Sequence, residues 1–338
     1  MAHHQHAAAA AAAPTAAPAV HVGEPRAGVP GPDTVLTLRD VCLDILTEDD
    51  PIPILRHLDL TVDKGQIQGL AGESGSGKTM TGLAIMGLEP PQARVTGEIW
   101  LGDENLAEMR GRALARVRGR RIGMVFQDPS TSLHPQLKVG HQLTDHARYH
   151  LHLTKSEARD RAVEMLERVG VPNPRDALDR YPHEFSGGQR QRIAIAIALM
   201  CKPELLIADE PTTALDVTVQ AGVLHLIRDL VDTLGLAVLF ITHDLGVMSA
   251  VADTVAVMRH GRIVERGHKR DIFVQPRHPY TKALLAALPG AKGGLTSRED
   301  LRHMDLTADP EIPDTVPGLD ADGVPIPEAD TEGKEARQ

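Results

Sequence analysis

The sequence predicts an α/β fold built around a mostly parallel core sheet. Three short apolar runs, bounded by breakers or polar residues, are typical of strands buried on both faces. They are Ile67–Ala71, 205–208 and 237–241. Helix-forming stretches such as Lys78–Met86 alternate with these runs. This alternation of strands and helices favours a parallel sheet.

A separate helical region is expected within this fold, at about residues 135–190. The stretch 155–169 places apolar side chains along one face of a helix. These side chains are Ala158, Ala162, Met165 and Leu166. The sequence therefore predicts one globular domain over residues 34–292, into which a helical subdomain is inserted.

Two biased segments flank the predicted domain. Residues 1–33 are rich in Ala, His and Pro and hold almost no large apolar side chains, so we expect disorder there. The cluster His3, His4 and His6 is read as part of this low-complexity segment in preference to a metal site. Residues 293–338 hold twelve Asp or Glu against four Lys or Arg, which predicts a flexible acidic tail.

Composition excludes several classes of protein. The net charge is −10, of which the acidic tail supplies −8, and this balance argues against a nucleic-acid partner. No apolar run approaches the roughly 18 residues needed to span a bilayer. The alanine run 7–13 has no preceding Lys or Arg, so export is not expected. Two distant cysteines, Cys42 and Cys201, fit a reducing compartment and are interpreted as small apolar fillers.

The turn after the first predicted strand fits the phosphate-binding pattern G-x-x-x-x-G-K-[ST]. Its residues are Gly72, Glu73, Ser74, Gly75, Ser76, Gly77, Lys78 and Thr79. Glycines let the backbone curl so that its amides meet phosphate oxygens at the positive end of a helix dipole. Lys78 is expected to neutralise the β- and γ-phosphates, and the Thr79 hydroxyl to coordinate Mg²⁺.

A second predicted strand, 205–208, ends in two adjacent carboxylates, Asp209 and Glu210. Such a pair holds Mg²⁺ and orients an attacking water. We expect Asp209 to bind the metal, which leaves Glu210 as the candidate base. These features indicate a nucleoside triphosphatase, but several families share them. The guanine-reading pattern N-K-x-D is absent from the sequence.

Further motifs stand in a fixed order around these two. The stretch 185–192 reads Phe-Ser-Gly-Gly-Gln-Arg-Gln-Arg, 125–129 reads Val-Phe-Gln-Asp-Pro, 214–216 reads Ala-Leu-Asp, and 241–244 reads Ile-Thr-His-Asp. They resemble the signature motif, Q-loop, D-loop and switch histidine of the ABC ATPase family. The resemblance covers the whole globular part, and it implies a P-loop NTPase fold with an antiparallel β subdomain and a helical subdomain that carries the signature.

The resemblance also implies the site. Glu210, His243 and Gln127 would be catalytic, and Thr79, Gln127 and Asp209 would bind Mg²⁺. ATP would be held by residues 72–79, Met80 and Asp209, and also by the signature residues Ser186, Gly187, Gly188 and Gln189 and by Asp216. In the family, two subunits pack head to tail, so that each signature closes over the ATP in the other subunit's phosphate loop.

Within that family, residues 209–220 and 277–285 resemble the branch that imports oligopeptides, dipeptides and nickel. The branch implies a second ABC ATPase subunit, two transmembrane permease subunits and, indirectly, an extracytoplasmic solute-binding protein. It places the chain peripherally at the cytoplasmic face of the cell membrane, where its helical subdomain is expected to dock on a membrane subunit.

The sequence departs from this branch at three points, of which the acidic C-terminal tail is one. No cysteine follows Cys201, so no iron–sulfur cluster is expected in the C-terminal region. No Phe, Tyr or Trp precedes Trp100, so Ile52 or Ile54 would replace the aromatic that usually stacks on adenine.

Two other functions share this ATPase machinery. One is an accessory ABC ATPase of a soluble enzyme complex, for example in phosphonate metabolism. The other, a DNA-repair or chromosome-organising ATPase, would need a long coiled-coil insertion or a basic face, and the sequence shows neither.

Overall fold

The computed structural model describes residues 31–127, 132–213 and 215–287. Parts of the sequence-based predictions lie outside these residues. They are the first thirty residues with the histidine cluster, Asp128 and Pro129 of the Q-loop, Ala214 of the D-loop, and the acidic tail.

The strands are given in chain order: β1 (Thr34–Ile45), β2 (Ile52–Asp63), β3 (Ile67–Ala71), β4 (Ala93–Leu101), β5 (Glu104–Asn105), β6 (Ile122–Val125), β7 (Leu205–Asp209), β8 (Ala237–Thr242), β9 (Thr254–Arg259) and β10 (Arg262–His268). The helices are α1 (Lys78–Met86), α2 (Arg112–Val117), α3 (Val139–Leu151), α4 (Lys155–Arg168), α5 (Pro174–Ala177), α6 (Gly187–Leu199), α7 (Val217–Leu234), α8 (Leu245–Val251), α9 (Lys269–Val274) and α10 (Pro279–Ala286). Short 3₁₀ turns lie at Leu106–Glu108 and Pro182–Glu184.

The larger sheet has six strands in the order β10-β9-β3-β8-β7-β6. Neighbours from β9 to β6 pair in parallel, and β10 pairs with β9 antiparallel. Every residue of β3, β7 and β8 is buried, because helices or a second sheet cover both faces. The prediction of a mostly parallel core sheet is confirmed.

The smaller sheet has the strand order β2-β1-β4-β5, and its pairs are antiparallel. This confirms the antiparallel β subdomain implied by the resemblance. Cys42 lies on β1 and is half-buried, whereas Cys201 is buried.

Helices α3, α4 and α5 and the start of α6 occupy the region where a helical insert is predicted, and α6 continues to Leu199. α4 begins at a capping box, in which the Thr154 side chain accepts the Glu157 amide and the Glu157 carboxylate accepts the Thr154 amide. Its predicted apolar positions, including Ala158, Ala162 and Leu166, are buried. None of the helices in the described ranges is long and apolar enough to cross a membrane.

Two apolar clusters cover the two faces of the larger sheet. On one face, Leu206 and Phe240 belong to a cluster with residues of α3, α4, α6 and α7. On the other, Ile207 and Leu239 belong to a cluster with the smaller sheet and α1. Because β3, β6, β7 and β8 run in parallel, their carboxyl ends lie at one edge of the sheet. Ligands bind at this edge in open α/β folds, and the candidate site is built there.

Candidate functional site

The loop between β3 and α1 is a glycine-dependent turn. Gly75 has φ 82° and Gly77 has φ 102°, a region that side chains with a Cβ rarely adopt. A Cβ on Gly77 would also lie 2.9 Å from Leu55 Cδ2 and from Met258 Cε. The loop can therefore keep this path only with glycine at that position. Ile54, one of the two residues considered for contact with adenine, lies beside it, with its carbonyl oxygen 3.3 Å from the same Cβ position.

Two polar side chains are buried inside this loop. The Lys78 ammonium is held by the carbonyl oxygens of Gly72 and Glu73, at 2.9 and 2.6 Å. The Ser76 hydroxyl is buried and has no hydrogen-bond partner among the residues that the structure describes. An unpaired buried hydroxyl costs free energy unless a ligand satisfies it. A cationic, amide-lined cradle with a spare donor fits the oxygens of a triphosphate.

Thr79 and Asp209 bring oxygen ligands together at the start of α1. The Thr79 hydroxyl donates to Asp209 Oδ1 at 3.2 Å. Burial is the main reason that the pKa of Asp209 is raised from 3.8 to about 6, and the charge of Glu210 adds to it. The Thr79 hydrogen bond and the Lys78 charge act in the opposite direction. A hydroxyl beside a buried carboxylate is the hard oxygen set that Mg²⁺ prefers, so the residues fit this ion.

The Glu210 carboxylate receives hydrogen bonds from three segments. Oε2 accepts from Gln127 Nε2 at 3.0 Å and from Thr213 Oγ1 at 2.9 Å. Oε1 lies 2.7 Å from His243 Nδ1. Since a carboxylate only accepts, Nδ1 is the ring nitrogen that carries the proton in this contact. The three predicted catalytic residues are thus brought together at the ends of β6, β7 and β8.

The backbone of Glu210 is strained. Its φ is 46°, in the left-handed region that a residue with a long side chain rarely adopts. The bond from its amide to the carbonyl of Ile241, at 2.8 Å, holds this conformation against β8. Strain of this kind is typical of functional positions, because only the surrounding structure keeps it in place.

The sequence motifs do not predict a functional role for two residues at this site, Thr213 and Tyr280. Thr213 lies three residues after Glu210 and donates a hydrogen bond to its carboxylate. A hydroxyl residue at this spacing after a strand-end carboxylate is the feature of the sequence that could have predicted this contact. Tyr280 lies in the branch-specific stretch 277–285, but no motif there predicts a role for it at the site. Its hydroxyl accepts the amide of Glu73 in the phosphate loop at 3.3 Å, across 207 residues of sequence.

Tyr280 is well fixed in its position. It is 2% exposed, and the Arg259 guanidinium lies 5.1 Å from the centre of its ring. Burial and then the charge of Glu73 raise the pKa of its hydroxyl, so Tyr280 is neutral at physiological pH. Glu265 on β10 accepts the amides of Arg277 and His278, which fixes the chain just before α10.

The signature residues form the start of α6. Ser186 is the N-cap, and it exchanges hydrogen bonds with Gln189 in a capping box at 3.3 and 3.0 Å. Ser186 is exposed, and the first turn of α6 follows it. A Cβ on Gly188 would lie 2.4 Å from Val219 Cγ1, so glycine allows α6 to approach α7 closely.

Asp216 and Met80 have structural contacts of their own. Asp216 is the N-cap of α7, and its carboxylate accepts the amides of Thr218 and Val219 at 3.1 and 3.0 Å. The D-loop segment thereby lies beside the signature turn, since Val219 contacts Gly188. Met80 packs against the apolar cluster of the smaller sheet.

A glycine-rich loop between a parallel strand and a helix, with two carboxylates at the end of a nearby strand, defines a P-loop nucleoside triphosphatase. Comparison with known families narrows this class. Residues 55–213 match the family model described as ABC transporter, and residues 264–309 match the model described as oligopeptide/dipeptide transporter, C-terminal region.

Proteins similar in sequence to this chain are named as transport ATP-binding proteins. The chain is 46% identical over 287 residues to the oligopeptide transport ATP-binding protein OppD of Bacillus subtilis, which is 84% of this chain and 77% of that protein. It is 44% identical over 277 residues to the dipeptide transport ATP-binding protein DppD of the same organism, covering 81% and 80%. The chain therefore belongs to the ABC transporter family, as an ATP-binding subunit of the oligopeptide and dipeptide branch, and it is an ATPase.

Solved structures confirm the P-loop NTPase fold. The ATP-binding cassette MJ0796, described as dimeric in a post-hydrolysis state with ADP and Pi, matches with a TM-score of 0.62 at 26% identity. The match covers 70% of this chain and 99% of that one. The protein cbiO1 from Clostridium perfringens, part of the transporter complex cbiONQ, matches with the same score and identity over 72% and 92%.

Proposed function

We propose that this chain hydrolyses ATP to power the import of peptides or similarly small solutes, at the cytoplasmic face of the cell membrane. The observation that carries the ATPase part is the Glu210 carboxylate, held by Gln127, Thr213 and His243 beside the phosphate loop. The cargo class is supported by the oligopeptide/dipeptide match of residues 264–309 and by the relatives named for oligopeptide and dipeptide transport.

The phosphate loop binds ATP. Its amides over residues 72–79, with that of Met80, surround the β- and γ-phosphates, and Lys78 neutralises their charge. The buried Ser76 hydroxyl gains its missing partner from a phosphate oxygen. Thr79, Asp209 and Gln127 are the residues that would hold Mg²⁺, which withdraws charge from the phosphate oxygens when bound.

Glu210 acts on the attacking water. Its carboxylate accepts a proton from the water as the oxygen attacks the γ-phosphorus and the bond to the β-phosphate oxygen breaks. Gln127 and Thr213 fix one carboxylate oxygen, so the other carboxylate oxygen and His243 align with the water and the γ-phosphate. His243 is half-exposed, at 43% for its side chain, and so remains accessible to the nucleotide.

Catalysis needs a second subunit. The start of α6 presents its first amides at an exposed N-cap, where an anion is favoured by the helix dipole. We infer that Ser186, Gly187, Gly188 and Gln189, with Asp216, close over the ATP bound by another ATPase subunit. Binding of ATP then favours the closed pair, and loss of the γ-phosphate releases it.

The remaining partners follow from the transporter role. They are two transmembrane permease subunits, contacted by the helical subdomain, and indirectly an extracytoplasmic solute-binding protein. The near-neutral domain offers no basic charge excess for nucleic acid, so no nucleic-acid partner is proposed.

Peptide uptake tests the cargo. Cells lacking this gene are complemented with the wild-type chain or with Glu210→Gln, and uptake of a radiolabelled tripeptide is measured. Uptake restored by the wild type alone supports the proposal. If both chains leave uptake at the level of the deletion, peptide import is contradicted and the accessory role in a soluble complex gains support.

A further inference from the structure

An unusual polar cluster lies on the smaller sheet, where β1 and β2 both bulge. Their register passes from Leu38 opposite Leu60 to Val41 opposite Leu58, which leaves one extra residue on β1, and then to Leu43 opposite Leu55, which leaves one extra residue on β2. The displaced residues are Asp40 on β1 and His57 on β2. Both have left-handed backbones, with φ 51° and 52°, which is uncommon for residues other than glycine.

Neighbouring residues hold the two bulges in place. The Asp40 amide donates to Asp59 Oδ1 at 3.0 Å. On β4, a Cβ at Gly97 would lie 2.3 Å from the carbonyl oxygen of Asp40, and Gly97 itself has φ 87°. Glycine is therefore required there for β4 to run alongside the bulge. Three strands thus cooperate in the position of Asp40.

The bulges direct three different ligand types to one point. His57 Nδ1 lies 2.5 Å from Asp40 Oδ1 and 3.8 Å from Cys42 Sγ. One imidazole nitrogen, one carboxylate oxygen and one sulfur thus all lie within 4.8 Å of one another. The backbone amide of His57 also donates to Cys42 Sγ at 3.2 Å, a contact that stabilises negative charge on sulfur.

The geometry does not suit a nucleophilic triad. In such a triad the acid and the nucleophile bind opposite nitrogens of the imidazole, so that the ring transfers a proton between them. Here the thiol and the carboxylate approach the same nitrogen, Nδ1. A simple surface ion pair between Asp40 and His57 explains neither the third group nor the amide directed at its sulfur.

We propose that Asp40, Cys42 and His57 form a binding site for a zinc ion. Zinc accepts sulfur, imidazole and carboxylate ligands together, whereas Mg²⁺ and Ca²⁺ prefer oxygen alone. Three protein ligands leave a fourth tetrahedral position, which water fills, because Asp40 and His57 are exposed. The bound ion displaces the proton of the thiol, while the neutral imidazole keeps its proton on Nε2 and binds through Nδ1, so the ion ties the two bulged strands together.

Cobalt(II) provides a direct probe, since it takes zinc sites and gives a near-ultraviolet charge-transfer band only when a thiolate is a ligand. The full-length chain carries a second candidate ligand set in His3, His4 and His6. These three are changed to Ala in the background used for all variants, and the chain that keeps them is titrated in parallel. Titration with Co²⁺, followed by displacement with Zn²⁺, is carried out in the absence of nucleotide because ATP binds metals itself.

We expect one thiolate–cobalt site per chain, abolished in Cys42→Ser and weakened at least about tenfold in His57→Gln. Cys201→Ser is the matched control and should leave the band unchanged. Burial raises the pKa of the Cys201 thiol to about 11, so this cysteine is not a thiolate at neutral pH. Basal ATPase activity should be unchanged in Cys42→Ser, which shows that this variant folds.

Several outcomes would overturn the proposal. They are the absence of a charge-transfer band in the background that lacks the three N-terminal histidines, retention of the band in Cys42→Ser, or its loss in Cys201→Ser alone. Zinc binding that disappears only when the three N-terminal histidines are changed would assign the metal to that segment instead.

Discussion

At the scale of single residues, the Glu210 carboxylate joins segments that are distant in sequence. Gln127 lies 83 residues before it and His243 lies 33 residues after it, yet both bond this one group. Because each oxygen is occupied by fixed donors, the carboxylate has little freedom to rotate. The position of a base relative to its water determines whether proton transfer is effective.

Glu210→Gln should retain ATP binding and lose turnover by about 10²–10⁴-fold, because an amide does not accept the proton of the attacking water. Nucleotide binding measured by calorimetry and phosphate release measured by a coupled assay separate the two effects. Lys78→Ala should instead weaken nucleotide binding itself.

The control for Glu210→Gln is Glu164→Gln, which makes the same chemical change on the exposed face of α4. It should leave kcat and KM as they are. Near-normal hydrolysis by Glu210→Gln would remove Glu210 from the role of base.

Asp209 illustrates a conflict between stability and function. A pKa raised from 3.8 to about 6 means that folding penalises the ionised form. The neutral form is favoured in the folded state, so the penalty is absent below about pH 4, grows between about pH 4 and 6, and is complete above that. The difference corresponds to about 3 kcal/mol of lost stability at pH 8 in metal-free protein.

Asp209→Asn should therefore stabilise the chain in the presence of a chelator, by up to about 3 kcal/mol at pH 8, with the gain decreasing as the pH falls from 6 towards 4. The same variant should lose Mg²⁺-dependent hydrolysis. Urea unfolding at several pH values measures the gain. A gain that does not change with pH would show that the carboxylate titrates normally.

At the scale of elements, α10 contacts the phosphate loop through one hydrogen bond, from the Glu73 amide to the Tyr280 hydroxyl. Tyr280→Phe removes the acceptor and keeps the buried ring. A hydrogen bond of this kind contributes about 1 kcal/mol, so KM for ATP should rise about fivefold with kcat little changed.

Tyr149→Phe is the matched control, because Tyr149 is 69% exposed and its hydroxyl lies on the surface of α3. Steady-state kinetics of the two variants decide the question. Equal KM values for Tyr280→Phe and the wild type would show that the loop keeps its shape without this contact.

The sequence predicted the elements whose signal is local. The glycine loop, the strand-end carboxylates and the helix 155–169 each depend on residue types within a few positions. Contacts that depend on the order of the strands could not be predicted from the sequence. The contact between Tyr280 and Glu73, for example, joins residues 207 positions apart. The bulges at Asp40 and His57 could not be predicted from the sequence either, because only the register of β1 against β2 reveals the extra residues.

At the scale of the whole molecule, the proposed closure of a second subunit over ATP depends on the start of α6. Ser186→Arg places a long side chain at this exposed helix end. ATPase activity of the assembled transporter should fall at least about 100-fold, while the isolated chain still binds nucleotide in its own loop.

Ser186→Arg also removes the N-cap of α6, and loss of a helix cap could by itself lower activity. Thr154→Arg, which removes the N-cap of α4, is therefore the control. Thr154 caps α4 with the same type of capping box, and its loss should cost about 1 kcal/mol of stability with activity retained. Equal activity in Ser186→Arg and Thr154→Arg would contradict a composite nucleotide site.

Segments that follow three different strands all bond the Glu210 carboxylate. In the proposed ATPase, Glu210 is therefore in position only when all three segments are in place. Gln127 follows β6 directly, and the helices of the predicted permease-docking region come after it in the chain. On the proposed function, a displacement of that segment by the membrane subunits would withdraw one of the three donors and leave Glu210 free to turn away from its water. On that proposal, this geometry would limit futile consumption of ATP by an idle transporter.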